Sequence, residues 1–104
     1  MPAGIAPGGI GFVVVASHGT PVALAATVKV CSKVILSGAK AKGAAGANTG
    51  NVYLQDAAGN VWLILAPAQT GSIELSTPGP WHFDLSQMYV DSDTDGDGVC
   101  VGVL

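Results

Sequence analysis

The residues best placed to do chemistry lie together near the end of the chain: Asp91, Asp93, Asp95 and Asp97, interleaved with Ser92, Thr94, Gly96 and Gly98. Carboxylates at alternate positions ahead of a glycine imitate the start of a calcium loop. Such a loop places oxygen ligands at its first, third and fifth positions and closes with a bidentate Glu at the twelfth. With Asp91 as the first position, Asp93, Asp95 and Gly96 fall on the third, fifth and sixth, but the twelfth is Gly102 and the flanks are strand-like. The closing ligand is therefore missing. Asp and Gly are also the residues of tight turns, because Asp caps backbone N–H groups and Gly accepts positive φ. The run is read as a solvated turn, with calcium at Asp91, Asp93, Asp95 and Asp97 as the weaker alternative and no other cofactor implied.

Other constellations are sparser. His82 and Asp84 are two apart in a strand-like stretch, hence on one face, but no nucleophile or oxyanion site accompanies them at a recognisable spacing. Neither His18 nor His82 stands in a recognisable relation to Cys31 or Cys100, so thiol catalysis lacks its base. Both cysteines sit in apolar runs and are expected to be small buried hydrophobes, with a bond between them open if their strands are neighbours. Trp62 and Trp81, with Tyr53 and Tyr89, fit the core or a subunit interface; the competing reading is a sugar-binding platform. No catalytic residue is assigned, and the chain is not read as an enzyme.

The elements that must position these groups belong to one domain of 104 residues. Charged residues make up 11%, well under the usual share, so small neutral residues must cover the surface, and partner subunits are expected over much of it, with a Gly/Ala-rich monomer as the alternative. Arg is absent and the net charge is −3, which removes the electrostatic footprint of nucleic-acid binding and of attraction to an anionic membrane. No basic n-region precedes an apolar run, and none is long enough to span a bilayer, so synthesis in a cytoplasm is expected.

Met1–Gly11 is rich in Pro, Gly and Ala and is expected to be an extended arm, either disordered or laid along a neighbour, with residues 12–104 forming the domain. Short β-branched runs then alternate with Gly, Pro and Asn turns. Strands are expected at Phe12–Ala16, Val28–Ser37 (with a bulge or a bend at Cys31–Lys33), Ser72–Ser76 and Trp81–Leu85, with Val22–Ala26 either strand or coil. Gly38–Gly50 is an exposed loop, because its glycines oppose the helix that Ala and Lys would favour. Asn51–Asp56 and Asn60–Leu65 make the clearest hairpin. Met88–Val90 and Val99–Leu104 read as two closing antiparallel strands joined by the acidic turn. About eight short strands without a helix predict an all-β fold: a single-domain antiparallel β-sandwich or jelly roll.

Three segments carry a resemblance: Cys31-Ser-Lys-Val-Ile-Leu; Asn48-Thr-Gly-Asn-Val-Tyr-Leu; and Leu85-Ser-Gln-Met-Tyr-Val-Asp with Gly96-Asp-Gly-Val. Over roughly Thr20–Leu104 the chain resembles small all-β virion proteins of tailed bacteriophages. The resemblance implies a capsid decoration or cement protein, a head fibre or a tail module, with no catalytic residues to carry over. For a cement protein the implied partners are the major capsid protein and copies of itself, as a homotrimer, on the outer capsid surface of the virion after synthesis in the host cytoplasm. Ile5, Ile10 and Phe12 are then the expected subunit contacts. The alternative is a tail- or fibre-associated module that binds a receptor or a host-surface glycan.

Overall fold

The computed structural model describes residues 8–67 and 72–103. Ten strands run through them: β1 (Gly8–Val14), β2 (Val22–Ala23), β3 (Val30–Cys31), β4 (Lys33–Ser37), β5 (Val52–Gln55), β6 (Val61–Leu65), β7 (Ser72–Ser76), β8 (Phe83–Asp84), β9 (Tyr89–Ser92) and β10 (Gly98–Val103). No α-helix occurs among the described residues, only single 3₁₀ turns at Ala44–Gly46 and Leu85–Gln87. The fold is all-β and antiparallel, as the turn chemistry predicts.

The order of the strands has a simple logic. Two four-stranded sheets run β1-β10-β4-β7 and β2-β9-β5-β6, and a minor pair joins β3 to β8. Leave the minor pair aside and the remaining strands pair from the outside of the sequence inward: β1 with β10, β2 with β9, β4 with β7, β5 with β6. One long antiparallel ribbon, folded at the β5–β6 turn, has been rolled so that its successive segments fall alternately in the two sheets. Eight strands in two four-stranded sheets with this nesting form a jelly roll. Each time the ribbon crosses between sheets, two connections cross side by side. The β3–β8 pair is one such crossing, where the ribbon stays hydrogen-bonded in transit.

The two sheets share one core. Val34 and Leu36 of β4 and Val99, Val101 and Val103 of β10 meet Val52 and Leu54 of β5, Leu65 of β6 and Val90 of β9, with Val15, Leu24 and Leu85 sealing the ends. Most are wholly buried; each such Val or Leu contributes roughly 1.5–3 kcal/mol of transfer free energy.

Several expectations are corrected by this arrangement. Of the arm expected over Met1–Gly11, residues 8–11 belong to β1, where Gly8, Gly9 and Gly11 lie opposite Val103, Gly102 and Val101, and residues 1–7 lie outside the described residues. Ile10 is the extra residue at the register shift and packs against the core, while Phe12 remains partly exposed. Ile5 lies outside the described residues. Val28–Ser37 is two strands rather than one, divided by the expected bend, here at Ser32. Trp81 does not share a strand face with Phe83 and Leu85, since β8 is only Phe83–Asp84 and Leu85 opens a 3₁₀ turn. Finally, β9 and β10 are not a hairpin. They belong to different sheets, and the acidic run is the crossing between them. The Asn51–Leu65 hairpin and the inward side chains of Ile73 and Leu75 are found as expected.

Candidate functional site

Because β1 pairs with β10 and β2 with β9, the β1–β2 connection must cross between the sheets beside the β9–β10 connection. The backbone ties the two together: Val15 N–H donates to the Asp97 carbonyl at 2.8 Å, and Gly96 N–H donates to the Val15 carbonyl at 2.7 Å. Gly96 makes the turn at φ 86°, a conformation that favours glycine. The four carboxylates of the acidic run each accept from different partners.

Asp91 Oδ1 accepts from Gly19 N–H and from Ser92 N–H, both at 2.8 Å. Asp93 Oδ2 accepts from the Tyr53 hydroxyl at 2.8 Å. Asp95 Oδ1 accepts from His18 N–H at 2.9 Å and lies 2.7 Å from His18 Nδ1. That pairing, first the hydrogen bond and then the charge, raises the His18 pKa above 6.5. The His18 backbone N–H and ring hold the Asp95 pKa below its ordinary value in turn. Both side chains stand largely in solvent, so the pair contributes little to stability.

Asp97 is different, because its side chain is completely buried. It accepts from Gly50 N–H at 2.8 Å, from Thr49 N–H at 3.0 Å to each oxygen, and from Lys40 Nζ at 3.3 Å. Burial by itself pushes the carboxyl pKa up. The Gly50 and Thr49 N–H groups and Lys40 outweigh it, and the pKa lies below the ordinary value. Next to it, Asn48 reads the Gly98 backbone with both ends of its amide: Nδ2–H donates to the Gly98 carbonyl at 2.8 Å, and Oδ1 accepts from Gly98 N–H at 3.0 Å. The Asn48-Thr-Gly and Gly96-Asp-Gly segments, both singled out in the sequence, are therefore docked on each other. The 38–50 loop, expected to be exposed throughout, has Gly46 and Asn48 buried against this joint.

One oxygen each of Asp91, Asp93 and Asp95 and both oxygens of Asp97 accept from N–H, hydroxyl, imidazole or ammonium groups, and among the described residues no group of three or more His, Cys, Asp or Glu side chains converges to hold a metal. His82 and Asp84 do not form a pair either. Asp84 Oδ1 caps the 3₁₀ turn by accepting from Ser86 N–H and Oγ, and it also accepts from Lys29 N–H. Cys31 is buried in β3, where burial raises its thiol pKa, and Cys31 and Cys100 are both free.

Large apolar side chains also lie open to a partner. Both tryptophans are at the surface instead of in the core: Trp62 on β6 is 42% exposed, Trp81 is 70% exposed, and Ile64 beside Trp62 is 55% exposed. Between the edges of the two sheets, where β6 and β7 part, lies a groove of about 380 Å³ walled by Trp62, Leu75, Phe83 and Met88, with Asp56, Ser76 and Gln87 at its margin. The Asp56 carboxylate is turned to its own hairpin, accepting from Ala58 N–H, Asn60 N–H and Asn60 Nδ2–H. These hydrogen bonds, led by the Asn60 side chain, hold its pKa below the ordinary value. The sequence hid this surface, because an aromatic and β-branched strand looks the same whether its outer row meets solvent or protein. Comparison with protein-family models, with curated proteins and with solved structures finds no match to this chain.

Proposed function

We propose that this chain is a structural protein of a bacteriophage virion, a capsid decoration or cement protein that sits on the outer surface of the head and stabilises it by packing between subunits of the major capsid protein and against copies of itself. The observation that supports this best is a division of labour. Asp84, Asp91 and Asp97, which looked chemical in the sequence, hold turns and loops of the fold, whereas a set of large apolar side chains (Trp62, Ile64, Trp81, Val28 and Val30) faces outward. A protein so arranged acts by contact area. The jelly roll is an architecture of viral capsid domains and equally of lectins, so it supports the reading by fold-level analogy alone. The test is to add purified protein to heads assembled without it. Bound protein on the outer head surface, with a higher temperature of head rupture, is the expected result; failure to bind heads overturns the proposal.

A second reading has one observation in its favour: Trp62 stands at a groove with Asp56 and Gln87 beside it, the mixture of aromatic face and hydrogen-bonding groups that suits a sugar. It would make the chain a tail- or fibre-associated module for a host-surface glycan. Glycan-array binding that disappears in Trp62→Ala would favour it over the first. The three hydrogen bonds that Asp56 makes within its own hairpin count against it.

A further inference from the structure

We propose that β6 is the edge through which two copies of this chain pair, strand against strand, antiparallel about Ile64. The inference comes from comparing the four sheet edges. β2 is two residues long and follows Pro21, which has no N–H to offer. β7 presents Glu74 in an ion pair with Lys33 at 3.0 Å. β1 is interrupted where its register shifts between Gly9 and Gly11. Short length, proline, charge and bulges are the devices that stop edges from pairing. β6 reads Val-Trp-Leu-Ile-Leu, with no charge, proline or glycine, and its own register shift falls early, at Trp62, leaving Leu63–Leu65 regular.

Charge argues for a second copy as the occupant. The chain carries a net charge of −3, so two copies repel wherever their acidic groups face each other. Residues 57–67 contain no charged side chain at all, and the carboxylate just before them, Asp56, is folded back onto its own turn. Antiparallel pairing about Ile64 sets Leu63 opposite Leu65, Trp62 opposite Ala66 and Ile64 opposite its own copy. No like charges meet. The contact is isologous and closes after two copies, and the β2-β9-β5-β6 sheet continues across it into the partner.

This deepens the reading of the protein as one that works by packing against copies of itself, and it is tested on the isolated chain, so it stands or falls separately from head binding. Sedimentation across micromolar to near-millimolar concentrations should show a monomer–dimer equilibrium. Ile64→Lys places two ammonium groups opposite each other and should weaken the dimer by about tenfold or more, with the circular dichroism spectrum unchanged. In a Cys100→Ala background, Ile64→Cys should give a covalent dimer on oxidation, and hydrogen exchange of residues 61–65 in the parent should slow as concentration rises. A monomer at all concentrations, a trimer, a dimer that survives Ile64→Lys, or no cross-link from Ile64→Cys overturns the proposal.

Discussion

The crossing that carries the acidic run and the edge formed by β6 are opposite in almost every respect. The crossing is polar, and each of its carboxylates is matched to donors from elsewhere in the chain; the edge is apolar, and its outer row faces solvent. The contrast teaches that residue type alone misassigns both. Asp91, Asp95 and Asp97, at ligand-like spacing, accept from backbone N–H groups of neighbouring loops and Asp93 from the Tyr53 hydroxyl, and the aromatic strand that looks like core turns Trp62 and Ile64 to the surface.

Substitutions at the two regions should separate them sharply. Asp97→Ala is expected to have the largest effect, a loss of about 3 kcal/mol in chemical denaturation, because it strands the Thr49 and Gly50 N–H groups and Lys40 beside a void. A loss under about 1 kcal/mol would mean that the crossing is not a keystone. The same carboxylate predicts acid lability. Its pKa is lowered on folding, so its contribution is full above the ordinary carboxylate value and disappears as pH falls through the lowered one. Next is Gly98→Ala, whose Cβ would clash with the Val13 carbonyl oxygen and force β1 away from β10. About 2 kcal/mol is expected, read as a lower denaturation midpoint.

Smaller effects follow. Tyr53→Phe removes one hydrogen bond to Asp93 near the surface and should cost roughly 0.5–1 kcal/mol. Ile64→Thr, on the exposed edge, should change monomer stability by no more than about 0.5 kcal/mol. An edge substitution as damaging as Asp97→Ala would break the comparison. The least effect belongs to the His18–Asp95 pair. Its pKa is raised on folding, so its contribution is present below 6.5 and is lost as pH rises through the raised value. His18→Gln should flatten the melting-temperature profile over that window and leave the rest of the curve unchanged.

How much of this was legible beforehand depends on how far apart the partners lie. The β5–β6 hairpin was readable because its turn residues Asp56–Asn60 and its two strands are contiguous, and Ile73 and Leu75 because alternation is local. The bend at Ser32 announced itself by Ser-Lys between apolar runs. Asp97 could not be told from Asp95 in the sequence. What distinguishes them is that Lys40, Thr49 and Gly50, about fifty residues away, are brought over one and not the other. The hairpin expected between β9 and β10 failed for the same reason. A Gly/Asp turn fits a hairpin and a crossing equally well, and only the pairing of β1 with β10 decides between them.

That pairing also sets an order of assembly. β10 occupies the interior of its sheet, between β1 and β4, so this sheet closes only when segments far apart in sequence have met. Contacts of such long sequence separation form slowly. The β5–β6 hairpin and the β4–β7 pair are more local and can assemble earlier. β1 keeps its apolar side chains uncovered until β10 arrives beside it.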